Sequence, residues 1–203
     1  MSFLSQLVDR KTALVHTKTK VTTIDGKVFT EDRTGDDVLI EKIASRNSGF
    51  VVDNQPDLVV ADVLPGLLMG AQDVAGDPEL LRRHGITHVL NVGHDEIIRT
   101  AADDLPIVNH HLPLLDLPET DLITVLPSCF ALIDAVREVG GTIYVHCNAG
   151  VSRSAAVTIG YLIHDQNLTY TEAYARLKSL RPSIRPNEGF VKQLKLYEKR
   201  LAL

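Results

Sequence analysis

The chain has no tryptophan, five phenylalanines, five tyrosines and two cysteines in 203 residues. Two cysteines, Cys129 and Cys147, exclude a disulfide scaffold and fit a reducing compartment. They cannot by themselves build an all-cysteine zinc site. So few aromatics leave no broad platform for stacking bases. Positive charge is also short: 21 Lys and Arg stand against 26 Asp and Glu, a net charge of −5. That balance argues against general binding to nucleic acid or an anionic membrane. No run of 18 uncharged apolar residues occurs, so no transmembrane helix is expected. The opening Met1–Arg10 lacks the basic start and apolar length of a secretory signal, Ser2 excludes myristoylation, and the last residues carry no prenylation cysteine. With 44% hydrophobic residues, the expectation is one soluble domain with an appendage, cytoplasmic or shared with the nucleus.

Residues 1–56 form the appendage. Phe3, Leu4, Leu7 and Val8 suit a short amphipathic helix. The β-prone runs Val21–Ile24 and Lys27–Thr30 flank Asp25-Gly26, a hairpin signal because both turn positions favour positive φ. Asp36–Arg46 reads as a helix with Val38, Leu39, Ile40 and Ile43 apolar. The acidic stretch Glu31–Glu41 reads either as a solvated face or as a docking surface.

Residues 57–203 alternate strands and helices. Strands are expected at Leu58–Val60, Leu67–Met69, Thr87–Val92, Ile107–Leu112 and Thr142–Val145. Helices are expected from Asp77 to His84, Asp121 to Val139, Arg153 to His164, Thr169 toward Leu180, and Asn187 to Arg200. Asp77 caps before Pro78, Thr169 and Glu172 make a capping box, and Gly140-Gly141 ends the long helix. The expected fold is α/β: a central, mostly parallel mixed sheet of about five strands with helices on both faces.

The chemistry concentrates at His146-Cys147-Asn148-Ala149-Gly150-Val151-Ser152-Arg153-Ser154, between an apolar strand and a helix. A tight strand-to-helix loop turns backbone N–H groups inward, and with the helix dipole they cradle an anion. Gly150 permits the close turn. Arg153 offers a planar fork for two oxygens of a tetrahedral oxyanion. Cys147 begins the loop, where the same field stabilises a thiolate nucleophile beneath a bound phosphoryl group. Ser154 can donate to the sulfur and help it depart. Ser152 can cap the following helix. His146 can hold the loop by hydrogen bonds.

Ester hydrolysis also needs an acid for the leaving oxygen. Asp116, in the loop before the long helix, can protonate it and then activate water. Glu119 and Asp121 are rivals, with Asp121 better read as a helix-start carboxylate. Cys129 falls among Leu126, Phe130 and Ile133 and reads as core, with a reversible disulfide to Cys147 the weaker reading. His84, His88, His94, His110 and His111 have no carboxylate spacing that completes a metal site, and a cysteine mechanism needs neither metal nor cofactor.

His-Cys-x5-Arg-Ser resembles the signature of the cysteine-based dual-specificity protein phosphatases. Gly70–Ala75, Thr87–Val92, Asp116 and Arg181-Pro182-Ser183-Ile184-Arg185-Pro186-Asn187-x-Gly189-Phe190 resemble further segments of that family. The likeness covers roughly residues 57–201 and is closest to the atypical subgroup, which lacks a separate rhodanese-like docking domain. It implies hydrolysis of phosphotyrosine and phosphoserine or phosphothreonine through a phosphocysteine. It also implies that Asn187 supports the phosphate loop and that Phe190 packs beneath it. A stress-activated MAP kinase or its upstream kinase is the partner it suggests. Neutral loop residues favour a phosphoprotein over a polyanionic head group, and Arg99, Arg181 and Arg185 are expected around the mouth. Two alternatives stand beside this: a phosphoprotein-binding scaffold with little turnover, and a phosphatase for a non-protein monoester.

Overall fold

The computed structural model describes residues 18–22, 28–34, 37–42, 56–93 and 106–201. The chain divides into two compact units, Met1–Gln55 and Pro56–Leu203. In the first, β1 (Lys18–Thr22), β2 (Val28–Thr34) and β3 (Asp37–Lys42) form an antiparallel sheet in the order β1-β2-β3. β1 and β2 pair with Thr22 opposite Val28, while the expected Asp25-Gly26 turn lies outside the described residues, as does the expected helix at Phe3–Val8. The helix expected from Asp36 is instead a strand. Val38 and Ile40 are β-branched, and β2 offers a partner edge, with Thr34 opposite Asp37.

The second unit holds a five-stranded sheet in the order β4-β5-β8-β6-β7. Its strands are β4 (Ala61–Leu64), β5 (Leu67–Gly70), β6 (His88–Asn91), β7 (Val108–His111) and β8 (Ile143–His146). Only the β4–β5 pair is antiparallel, turning at Gly66 with φ +79°. The other pairs are parallel, with β8 central between β5 and β6. The first strand begins at Ala61 rather than Leu58, because the turn sets Ala61 opposite Met69.

Alternation along each strand sorts the core into two layers. Leu67, Met69, Leu90, Ile143 and Val145 face one large cluster. There they meet α3 (Leu126–Glu138), α4 (Arg153–Gln166), α5 (Tyr170–Leu180) and α6 (Glu188–Leu201). Leu68, Val89 and Tyr144 face the opposite side, against Val74 of α1 (Gln72–Ala75) and Leu81 of α2 (Pro78–Arg83). A fully buried side chain of this kind stabilises by about 1.5–3 kcal/mol. Helices therefore cover both faces, as an α/β sheet requires.

Capping follows the sequence at two helices. Asp77 accepts from the N–H groups of Glu79 and Leu80, and Thr169 with Glu172 closes a full capping box. The expected start of the long helix is corrected: α3 begins at Leu126, not Asp121. Pro127 has no N–H to give a preceding turn, so it belongs in the first turn of the helix and not its interior. Asp121 instead closes a local turn, accepting from the N–H of Thr124 at 3.2 Å and its hydroxyl at 2.5 Å.

Candidate active site

Every carbonyl from Cys147 to Ser152 in the loop after β8 is hydrogen-bonded, those of Cys147 to Val151 by groups outside the loop and that of Ser152 by the first turn of α4. The Nδ1–H of His146 reaches the Cys147 carbonyl at 3.1 Å. The Gln72 N–H donates to Asn148 at 2.9 Å, and Arg181 donates to Ala149 and Gly150, both at 2.9 Å. The Arg185 N–H donates to Val151 at 2.8 Å, and the Ala156 N–H donates to Ser152 at 2.8 Å. In a trans peptide the carbonyl and the next N–H point opposite ways, so carbonyls drawn outward turn N–H groups inward. The result is an anion cradle at the start of α4. Gly150 makes it feasible: its φ is +63°, and a Cβ there would lie 2.4 Å from the backbone of Gly70.

Cys147 is buried, and its Sγ lies 3.3 Å from Ser154 Oγ, which is also buried. Arg153 follows as the first residue of α4. Its Nη2 donates to Asn148 Oδ1 at 2.9 Å and its Nη1 to the Leu114 carbonyl at 3.3 Å. Its buried Nε has no hydrogen-bond partner among the described residues; Asp116 Oδ2 is 3.7 Å away. A cradle of inward N–H groups with an uncommitted guanidinium N–H suits a tetrahedral oxyanion. His146 is buried and neutral, since burial foremost and then nearby His111 lower its pKa to about 4 against the pull of the Cys147 carbonyl. Its hydrogen bond and its stacking on Tyr144 suit a holding role.

Asp116 overhangs this loop, with its side chain 37% exposed. Its Oδ1 accepts two hydrogen bonds, from Ser152 Oγ at 2.7 Å and Asn187 Nδ2 at 2.9 Å. Oδ2 is left on the Arg153 side. Ser152 therefore does not cap α4 as expected; its hydroxyl donates to Asp116 and accepts from the Asn187 N–H at 3.1 Å. Asn187 holds the acid more directly than the loop, and its Oδ1 also caps the start of α6 at the Phe190 N–H. Phe190 is fully buried in the larger core cluster. Asp121 is no rival acid: its bonds to Thr124, side chain before backbone, hold its carboxyl below the usual carboxylate range. Glu119 is exposed on the same loop.

Three site features escaped the sequence reading. Arg181, expected at the mouth, is 1% exposed and lies behind the loop. Gln193 straps the far end of the Asp116 loop to α6, accepting from Leu122 N–H at 2.9 Å and donating to Thr120 carbonyl at 2.8 Å. Gly189 allows that loop to touch α6, since a Cβ would fall 1.8 Å from the Pro118 carbonyl oxygen. No local pattern announces contacts between residues so far apart; only Gly189, at the start of a helix where glycine is unfavourable, hints at a packing reason. Arg99 lies outside the described residues, and Arg185 is exposed. Cys129 is buried in the core as expected, and both cysteines are free.

Residues 67–200 match the dual specificity phosphatase catalytic domain. Mouse dual specificity protein phosphatase 19 is 40% identical over 183 residues, which span 89% of this chain and 82% of that protein. The fold superposes on a mouse putative dual specificity phosphatase complexed with zinc tungstate, with TM-score 0.64 and 35% identity over 76% of this chain and 94% of that one. It superposes equally, at TM-score 0.64 and 33% identity, on the human tyrosine phosphatase-like serine/threonine/tyrosine-interacting protein, over 71% of this chain and 98% of that one.

Proposed function

This chain belongs to the dual specificity phosphatase family, and from that premise we propose that Cys147 is the nucleophile, Arg153 the oxyanion ligand and Asp116 the acid and base of its phosphatase reaction. Its substrates are phosphorylated proteins, as the family's are. The observation that carries the residue assignment is the pairing of the five carbonyls from Cys147 to Val151 to groups outside the loop, around a buried thiol.

The Cys147 thiolate attacks phosphorus in line with the leaving oxygen. The sulfur–phosphorus bond forms, the phosphorus–oxygen ester bond breaks, and the leaving oxygen takes a proton from Asp116. Oδ1 already accepts from Ser152 and Asn187, so Oδ2 carries that proton. In the second step the Asp116 carboxylate takes a proton from water as its oxygen attacks phosphorus. The phosphorus–sulfur bond breaks, and Ser154 Oγ–H stabilises the returning thiolate. The loop N–H groups and Arg153 neutralise equatorial charge throughout. Asn148, Ala149, Gly150, Val151 and Ser152 supply the backbone of that cradle.

Turnover of an aryl phosphate tests the assignment. Cys147→Ser is expected to reduce it to background, and Asp116→Ala to lower kcat by about 10²–10⁴-fold. Unchanged turnover in Cys147→Ser would refute the nucleophile.

Within the substrate class, a phosphorylated stress-activated MAP kinase or its upstream kinase, met in the cytoplasm or nucleus, is the partner we propose. The family resemblance supports it, and substrate capture by Asp116→Ala checks it. A binding role without turnover is the second reading, favoured by the likeness to the human phosphatase-like interacting protein. Wild-type protein that binds a phosphopeptide yet releases no phosphate would establish that one.

A further inference from the structure

The six carbonyls of the phosphate loop are not held alike. Backbone N–H groups hold those of Asn148, Val151 and Ser152, and the adjoining His146 ring holds that of Cys147. The two at the apex, Ala149 and Gly150, both answer to one side chain. Arg181 Nη2 donates to Ala149 and Nε donates to Gly150, each at 2.9 Å. Its Nη1 donates to the Val59 carbonyl at 2.9 Å. Asp57 completes the set: its carboxylate accepts from Nη2 at 2.5 Å and from Nη1 at 3.4 Å. Asp57 is itself fixed, since its N–H donates to Asp73 Oδ2 at 3.0 Å and its Oδ1 accepts from the Val59 N–H at 3.1 Å.

A buried guanidinium satisfied this fully is not a surface charge that happened to fold in. Without a carboxylate partner a buried cation is costly, and without the cation two buried carbonyls lose their donors. We propose that Arg181, held by Asp57, is a positioning residue that sets the oxyanion affinity of the phosphate loop. It draws the Ala149 and Gly150 carbonyls outward and so keeps the N–H groups of Gly150 and Val151 facing the substrate phosphate. Arg181 does not touch the phosphate. Lysine cannot replace it, because one compact ammonium cannot span two carbonyls and a carboxylate as the planar fork does. Asp57 stands 124 residues from Arg181 in sequence, at the first residues of the second unit, so the chain's entry into the catalytic unit is tied to the loop that binds phosphate.

The inference rests on the reading of residues 147–153 as the phosphate site, and the test separates the two. Tungstate inhibition of aryl phosphate hydrolysis is measured for the full chain, alongside KM, kcat and Tm. Arg181→Lys is expected to raise the tungstate inhibition constant and KM roughly tenfold, about what one lost hydrogen bond to a buried group costs. Asp57→Asn is expected to raise both by roughly threefold, and it decides the matter if Arg181→Lys does not fold. Arg137→Lys is the control. Arg137 is a part-buried arginine held by the Pro65 carbonyl and Tyr161 Oη, apart from the loop, and its replacement is expected to lower Tm without moving the inhibition constant. Arg153→Ala tests the underlying site: if tungstate still inhibits its residual activity as in wild type, the loop is not the anion site, whatever Arg181 does. Folded Arg181→Lys and Asp57→Asn with tungstate inhibition and KM within twofold of wild type would overturn the proposal. So would an equal rise in Arg137→Lys.

Discussion

The two loops that meet at Asp116 and Ser152 are anchored in opposite ways. Residues 147–152 are held through their own main chain: every carbonyl is taken, the thiol is buried, and a fully buried arginine backs the apex. The loop carrying Asp116 is exposed along residues 115–119 and is held by side chains: the Ser152 hydroxyl, Asn187 before α6 and Gln193 on it. A cradle that presents main-chain N–H groups, with its side-chain braces behind it, suits a site that must bind every phosphate alike. An acid fastened by side chains tolerates substitution at its attachments, which suits a group that meets leaving alcohols of different size. The difference implies that damage to the first loop removes binding, whereas damage to the second slows chemistry and leaves binding intact.

That separation can be broken most forcefully at the two glycines. Gly150→Ala is expected to lose oxyanion binding and at least about 2 kcal/mol of stability, since it combines positive φ with a collision against Gly70. Denaturant melts together with tungstate inhibition will show both. Gly189→Ala drives a methyl into Pro118 and shifts the Asp116 loop. Displacing a reacting group by about 1 Å costs roughly a hundredfold, so kcat is expected to fall by that order with the tungstate inhibition constant unchanged. An equal loss of tungstate binding would dissolve the distinction between the loops.

A smaller, pH-dependent effect sharpens the account of the first loop. Buried His146 stays neutral in the folded protein down to about pH 4, while in the unfolded chain it takes up a proton near 6.5. Stability is therefore unaffected by this group above 6.5 and is lost as pH falls from 6.5 toward 4, by up to about 1.4 kcal/mol per unit. His146→Gln is expected to flatten that slope in urea titrations at successive pH values. The smallest effect belongs to Cys129. Burial pushes its thiol up to about 12, so alkylation of the folded protein at neutral pH is expected to label Cys147 alone. Cys129→Ala should leave both the labelling stoichiometry and kcat unchanged; a halved label count would show that Cys129 reacts.

What could be read in advance was local. Segment 146–154, the Asp77 cap and the Thr169–Glu172 box each carry their physics within a few residues. Pro127 is an equally local signal for the start of α3. In β3, an apolar run of helix-compatible spacing met a strand edge ready to pair, and tertiary pairing prevailed. Arg181 could not be found this way. A basic residue after Leu180 and before Pro182 looks like a helix-end surface charge. Its burial follows from two carbonyls some thirty positions upstream and a carboxylate near the start of the unit. Ser152 departs from the expected cap for a related reason: the hydroxyl that could cap a helix locally finds a better acceptor in Asp116.

The central place of β8 has a kinetic consequence. Ile143 pairs with Leu67 on one side and His88 on the other, so the strand that delivers Cys147 bridges distant stretches of the chain. Contacts of such long sequence separation are costly to close and slow to form. The Arg181–Asp57 link spans further still. Recovery of turnover on refolding is therefore expected to follow the final, global step and not the early formation of helices.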